Sequence, residues 1–591
     1  MFHQHQQWFN FAQQCQQQLW QRLSTPSLSH QAVQQDWYQQ WLTLWQSPQQ
    51  DPAEQLQWQL ECWQQQLQLL GELTLGTTSE TQLDPCLSEP EKGDRRFNSP
   101  LWQQSPWFDY IKRSYLLTQR QILSAIEQHP QLDQPQRQRL KFIARQMLSA
   151  LAPTNFIATN PELLKLTEES GGQNLIDGLK LLQQDLIRSG DQLNIAMNDN
   201  QAFTLGKELA ATPGSVVFEN ELLQLIQYAP STDKVYKRPV LMVPAFINKY
   251  YILDLSRKNS LVSQLVAQGH TVFMISWVNP DQSHQQLDFD HYVTDGVMAA
   301  LHAIETLTGE KEVNGVGYCI GGTLLATTMA YMSAKRLKKR IVSASLFTTL
   351  LDFSEPGDIG HFINEHSVAA IEAQNQQLGL MDGRQLAVSF ALLRENQLYW
   401  NYFVEGYLKG NSPMAFDLLH WNGDSTNVTG PCHTSLVKRM YWQNQLVQKG
   451  TFHVHDTAID LAKVTSPSFA VATQEDHIAL WQSCYASQQA LGGEKTFILG
   501  ESGHVAGIIN PIGGKYGHYQ GQQMQTSDDW LKAATRSDES WWQTWQLWLV
   551  AQNPKTQVDA RPVTLEIEPA PGRYVQRRLD QPSPQEASHD A

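Results

Sequence analysis

Six short β-branched or apolar runs, separated by helical stretches, restrict the fold of residues 238–500 more than any other feature of this chain. They are "RPVLMVPAF" (238–246), "TVFMISWV" (271–278), "EVNGVGY" (312–318), "IVSASLFTTLL" (341–351), "SPSFAVA" (466–472) and "KTFILG" (495–500). Ser260–Gln268 and Gly322–Lys335 carry helical patterns between them. Strands alternating with helices build a mainly parallel sheet covered on both faces, so an α/β domain is expected. From about Asp352 to Lys463 the rhythm breaks. That stretch is largely helical and aromatic ("LYWNYFVEGYLKG") and reads as an insertion in the sheet order, the usual position of a cap.

At 591 residues the chain exceeds one compact core, and two or more domains are expected. Residues 1–70 hold 24 glutamines and 7 tryptophans but only 5 charged residues, a composition that alone would signal disorder. The apolar spacing argues otherwise. Leu56, Leu60, Trp63, Leu67 and Leu70 fall at i, i+4, i+7, i+11 and i+14, one stripe of a helix, and Trp37, Trp41 and Trp45 mark a face one segment earlier. Two or three amphipathic helices with an amide-rich outer face are expected. Their apolar stripes pack on the remainder of the protein or meet an external hydrophobic surface. Residues 1–93 thus read as a Gln/Trp-rich helical segment ending in a linker with Pro85, Pro90 and Gly93. Residues 94–205 read as a mainly helical domain, in which Asn160 caps a helix opened by Pro161. Residues 206–552 form the α/β domain with its insertion at about 352–463. Residues 553–591 are an exposed tail in which "GRYVQRR" is the part able to dock; just before it Trp541, Trp545 and Trp548 share one helical face.

A net charge of −15 argues against a nucleic-acid binder. The six cysteines (Cys15, Cys62, Cys86, Cys319, Cys432, Cys484) show no metal or CxxC spacing and read as reduced thiols; no metal site is expected. The N-terminus lacks a basic-then-apolar leader, and no run approaches the roughly 18 apolar residues of a membrane span. A cytosolic chain, at most attached to a surface, is the expectation.

Chemistry concentrates at "NGVGYCIGGTLLA" (314–326), a strand running into Gly-x-Cys-x-Gly-Gly and then a helix. This is the outline of a nucleophile elbow with cysteine in place of serine. Side chains two residues either side of the nucleophile would collide, which accounts for Gly317 and Gly321. The turn sets Cys319 at a helix N-terminus, where the dipole favours a thiolate, and makes the Ile320 backbone N–H a candidate oxyanion donor. A buried structural cysteine is the plainer alternative. In an α/β-hydrolase fold an acid and a histidine follow the nucleophile in that order. Asp476 follows the strand in "SPSFAVATQEDHIAL", with Glu475 as runner-up and His477 as a further contact, and His504 follows the strand in "KTFILGESGHVAG". The end of the first strand, "VLMVPAFINKYY", offers the Phe246 backbone N–H as second oxyanion donor.

"GYCIGGT", "PAFINKYYILDL", "SLFTTLLDF", "LLRENQLYWNYFVEGYLKG", "FDLLHWNGDSTN", "EDHIALW" and "GESGHVAGIINP" together closely resemble the class I polyhydroxyalkanoate synthases, from about Asp94 to about Trp548. The resemblance implies an α/β-hydrolase fold with a helical cap insertion behind a mainly helical N-terminal domain. It implies an acyltransferase that polymerises short (R)-3-hydroxyacyl-CoA, about C4 to C6, into polyester through a cysteine thioester and releases CoA. Cys319, His504 and Asp476 match the family's nucleophile, base and acid. No cofactor is implied, coenzyme A being part of the substrate. A homodimer held partly through the cap, and residence in the cytoplasm on the polyester granule surface, are implied as well. Trp400, Tyr402, Tyr407 and Trp421 are candidates for an acyl pocket, with packing inside the cap an equal reading for each. Arg394 and Lys409 are candidates for CoA phosphate contacts on charge alone. A cysteine thioesterase of the same fold and a non-enzymatic scaffold are the rival readings.

Overall fold

The computed structural model describes residues 52–75, 84–189 and 193–579. Trp37, Trp41, Trp45 and Cys15 lie outside them. The chain divides into two compact units: one runs to Met197 and includes Val388–Met414, and the other takes Asn198–Ala387 and everything from Ala415.

In the first unit the helix Pro52–Leu75 packs against the helix Pro106–Gln128. The face turned inward is not the expected one. Leu69 is fully buried against Leu117, and amides flank it: Ser114 Oγ donates to Gln66 Oε1 at 2.9 Å, and Gln121 Nε2 donates to Gln65 Oε1 at 2.8 Å. Arg113 and Glu72 form an ion pair at 2.8 Å across the same seam. Leu56, Leu60, Trp63, Leu67 and Leu70 are all exposed. The amide-rich face is expected outside; Gln65 and Gln66 instead lie at the seam, because each amide meets a polar group of the facing helix.

The Asn160 cap is present: its Oδ1 accepts from the Glu162 and Leu163 backbone N–H groups at the start of Pro161–Glu169. The aromatic segment 388–414, expected with the cap of the α/β domain, clusters instead with this helical unit. The reason is close backbone approach and polar matching. A Cβ on Gly178 would lie 1.9 Å from the Tyr407 carbonyl oxygen, Tyr407 donates its hydroxyl to Asp185 at 2.7 Å, and Asn174 donates to the Leu408 carbonyl at 2.8 Å.

The second unit is built on an eleven-stranded sheet among the described residues. In chain order its strands are β1 (Gly214–Glu219), β2 (Leu223–Tyr228), β3 (Val240–Val243), β4 (Val272–Trp277), β5 (Val313–Tyr318), β6 (Ile341–Phe347), β7 (Ser468–Thr473), β8 (Lys495–Gly500), β9 (His518–Gln520), β10 (Thr535–Ser537) and β11 (Glu568–Pro569). Across the sheet they lie in the order β10-β9-β8-β7-β6-β5-β3-β4-β2-β1-β11. Neighbours from β4 to β8 pair in parallel, and the strands outside them pair antiparallel. Those parallel strands are almost wholly buried, as a sheet covered on both faces requires. The expected α/β-hydrolase architecture is what forms.

One face carries the helices Ile320–Ala334 and Ala299–Thr308. The other carries the helix Trp541–Ala551, whose Trp541 and Trp545 pack edge-on against Phe347 of β6. The described part of the tail is docked rather than free. Residues 568–569 supply β11, Val575 is buried, and Arg577 donates to Asn279 and Asp281. The arginines and the Glu568–Pro569 pairing give this polar segment enough partners to hold it down.

Candidate active site

β5 ends at Tyr318, and Cys319 turns the chain into the helix Ile320–Ala334 at φ 53°, ψ −127°. A positive φ on a non-glycine residue stores roughly 1–3 kcal/mol of strain, which the surrounding structure must impose. Several contacts do so. The Cys319 N–H donates to the Phe347 carbonyl on β6 at 2.9 Å, and its carbonyl accepts from Gly322 N–H at 2.9 Å. Glycine is required on both sides. A Cβ on Gly317 would lie 2.3 Å from Gly322 Cα, and one on Gly321 2.2 Å from the Val243 carbonyl oxygen and 2.5 Å from that of Pro244. The loop after β3 is therefore seated directly on the elbow, and Phe246 in it is buried. Among the described residues no hydrogen bond is taken by the backbone N–H of Ile320 or of Phe246.

The acid and the histidine arrive from the next parallel strands. Asp476 follows β7 in a turn that aims its carboxylate inward, where Oδ1 accepts from the Ile478 and Ala479 backbone N–H groups, each at 2.9 Å. Its Oδ2 lies 2.6 Å from His504 Nδ1, with the Asp476 side chain wholly buried and His504 nearly so. Glu475, the alternative acid, is exposed and makes no part of this pair. The His504 loop is held from behind: Trp541 donates its indole N–H to the Gly507 carbonyl and Trp542 to that of Ile508, at 2.9 and 2.8 Å.

The Cys319 side chain stands close enough to the His504 imidazole to act on its charge, as Asp476 does. Burial alone would push it down, but the charges on Asp476 and Cys319 and the hydrogen bond to Asp476 hold it well above the ordinary histidine range. His504 thus lies between the Asp476 carboxylate and the Cys319 side chain, and both favour its protonated form.

Tyr318 and Tyr441 also feel the Cys319 and Asp476 charges. Burial first and those charges second push both phenols up, so they are protonated groups beside the pair. Tyr441, in "VKRMYWQ", carries no sequence signal that would have singled it out; only the folding of residues 435–442 against the site does.

The remaining candidates make contacts of their own. Arg394 lies in the helical unit. Lys409, in the same unit, is paired with Glu405 at 2.7 Å and Glu162 at 3.3 Å. Trp421 is buried and gives its indole N–H to the Lys249 carbonyl at 2.7 Å. Trp400, Tyr402 and Tyr407 belong to the helical unit too. His477 is half-buried next to Asp476, and its carbonyl accepts from Asp358 N–H at 2.9 Å. Among the described residues the five cysteines are free thiols, and no cluster of His, Cys, Asp and Glu could hold a metal. No helix of the described residues is long and apolar enough to cross a membrane.

Two family models match the chain. The N-terminal model of poly-beta-hydroxybutyrate polymerase (PhaC) covers residues 93–265, and the alpha/beta hydrolase fold model covers residues 238–511. The chain is 43% identical over 496 residues to a poly(3-hydroxyalkanoate) polymerase of Methylorubrum extorquens, spanning 83% of this chain and 82% of that one. The chain belongs to the poly(3-hydroxyalkanoate) polymerase family. Two other members are similarly related. The polymerase subunit PhaC of Cupriavidus necator is 41% identical over 498 residues, 82% of this chain and 83% of that one. The PhaC subunit of Rhizobium etli is 40% identical over 507 residues, 85% of this chain and 79% of that one. The alpha/beta hydrolase fold match, over residues 238–511, runs from β3 through the loop after β8 that carries His504.

Proposed function

We propose that this chain polymerises (R)-3-hydroxyacyl groups, of about four to six carbons, from their CoA thioesters into polyester. The observation that carries the reading is the buried His504–Asp476 pair beside Cys319 on a strained elbow, in a chain of this family. His504 takes the proton of the Cys319 thiol, and the thiolate attacks the thioester carbonyl of the substrate. The oxyanion is held by the Ile320 and Phe246 backbone N–H groups, and the carbon–sulfur bond to CoA breaks. The departing CoA thiolate takes the proton from His504. A 3-hydroxyl then loses its proton to the imidazole and its oxygen attacks an enzyme-bound acyl thioester; as the new ester bond forms, the carbon–sulfur bond breaks and the freed enzyme thiolate takes the proton back from His504. Asp476 fixes the imidazole tautomer and stabilises its cation.

The thiol suits this cycle. Exchange of one thioester for another is nearly thermoneutral, so the acyl group stays activated on Cys319, whereas a serine ester would lose part of that free energy. The thioester brings its own activation, and the cycle requires no cofactor or metal. In this reading the protein works as a homodimer in the cytoplasm, at the surface of the polyester it makes.

The test is to supply purified protein with (R)-3-hydroxybutyryl-CoA and follow free thiol, turbidity and soluble 3-hydroxybutyrate. Thiol release with insoluble ester supports the synthase. Thiol release with only soluble acid identifies a thioesterase of the same fold, and no thiol release excludes both. Cys319→Ala is expected to lose turnover by at least 1000-fold while keeping its unfolding midpoint. Polymer made by that variant would rule out Cys319 as nucleophile.

A further inference from the structure

The loop that carries Phe246 ends at a buried ion pair that the cycle above does not use. Lys249 Nζ lies 2.7 Å from Asp424 Oδ1, and both side chains are 3% exposed. Nζ also donates to the Arg577 carbonyl in the C-terminal segment at 2.9 Å. The second Asp424 oxygen accepts from the Tyr251 hydroxyl at 3.0 Å. The same stretch is gripped through its backbone. The Lys249 carbonyl accepts the Trp421 indole N–H at 2.7 Å, and the Phe246 carbonyl accepts from the Thr426 hydroxyl at 3.4 Å. Residues 246–251 are thus tied to 421–426 at several points, two of them charged.

A buried pair of this kind is a poor source of stability. Desolvation costs each ion several kcal/mol, and apolar residues of similar size commonly hold a fold as well or better. What a salt bridge adds is direction: a short, charge-assisted contact fixes where its backbone sits more tightly than apolar packing does. The backbone fixed here is that of the loop lying on the elbow, three residues from the Phe246 N–H.

We propose that Lys249 and Asp424 are positioning residues, holding the Phe246 N–H where the oxyanion of the thioester develops. The assignment rests on the polymerase reading above. A donor displaced by even part of an ångström loses much of its effect, and complete loss of one oxyanion donor lowers kcat by about 100- to 1000-fold. A smaller displacement should lower it by about 10- to 100-fold.

The experiment uses the full-length chain with (R)-3-hydroxybutyryl-CoA. Three variants are compared with the parent: Lys249→Met, Lys249→Arg, and the double variant Lys249→Met with Asp424→Leu, which removes both charges together. The amplitude of the first thiol release counts acylatable sites, and the steady rate divided by that amplitude gives turnover per site. The double variant is expected to keep its unfolding midpoint and its site count, with turnover per site about 10- to 100-fold down and KM within twofold. Lys249→Arg, which keeps the charge, should recover part of the rate.

Turnover per site within twofold of the parent in the double variant would overturn the proposal. So would a loss expressed only as fewer acylatable sites, or a double variant that does not fold, since either marks the pair as purely structural. A parent chain that released no thiol would overturn the polymerase reading and this assignment together. An active parent with an unaffected double variant would overturn this assignment alone.

Discussion

His504 sits between two groups that pull its proton in the same direction, the Asp476 carboxylate 2.6 Å away and the Cys319 sulfur. Its folded-state pKa is raised above the unfolded value of about 6.5. A raised base stabilises the fold fully below the unfolded value and loses that contribution as pH rises through the folded value. Asp476→Asn removes the main source of the shift. The stability gap between parent and Asp476→Asn should therefore be widest near pH 6 and narrow on the alkaline side, as read from urea unfolding midpoints between pH 6 and 10. A gap independent of pH would mean that Asp476 acts on the fold through its two backbone hydrogen bonds alone. The sequence pointed to Cys319, Asp476 and His504 because each follows a strand end, where spacing and chain order are local properties. It left Glu475 open because neighbouring residues in one turn differ only in direction, and direction is set by the Ile478 and Ala479 N–H groups that receive the Asp476 carboxylate.

At the scale of elements, the helix Trp541–Ala551 does two jobs with one set of side chains. It covers the sheet beside Phe347, and its indole N–H groups hold the backbone that follows His504. Trp542→Ala should cost about 3–5 kcal/mol of stability, the usual range for emptying a buried tryptophan site. It should also lower turnover per folded site, because the Ile508 carbonyl loses its donor. Chemical denaturation and active-site counting together separate the two effects, and unchanged turnover per site would show that the loop keeps its place unaided. The sequence placed Trp541, Trp545 and Trp548 on one helical face; Trp542 is buried as well, because it turns toward the histidine loop. The helix Pro52–Leu75 shows the converse. Its hydrophobic period was readable, yet the period says only which residues share a face, and here hydrogen bonds from Ser114 and Gln121 draw Gln66 and Gln65 to the seam.

Across the whole molecule, the segment after Asn553 closes the unit it follows. β11 extends the sheet beyond β1, and Arg577 reaches the loops after β3 and β4 through Lys249, Asn279 and Asp281. Ending the chain after Pro562 should lower the unfolding midpoint by several degrees and reduce turnover per site, because Val575 and the Arg577 contacts go together. Thermal unfolding and thiol release on the shortened chain check this, and an unaltered midpoint would make the segment an ornament of the surface. What the sequence determined by itself was everything carried by short-range pattern: a parallel sheet from alternating runs, an elbow from Gly-x-Cys-x-Gly, and the order of nucleophile, acid and histidine. Only the tertiary structure decided which candidates meet. It brought Asp476 and His504 together across β7 and β8, committed Lys409 and Trp421 to other partners, and moved 388–414 into the helical unit. The physical reason is that spacing along a chain fixes which face a residue shares, whereas contact between distant segments depends on packing and polar matching across the whole fold.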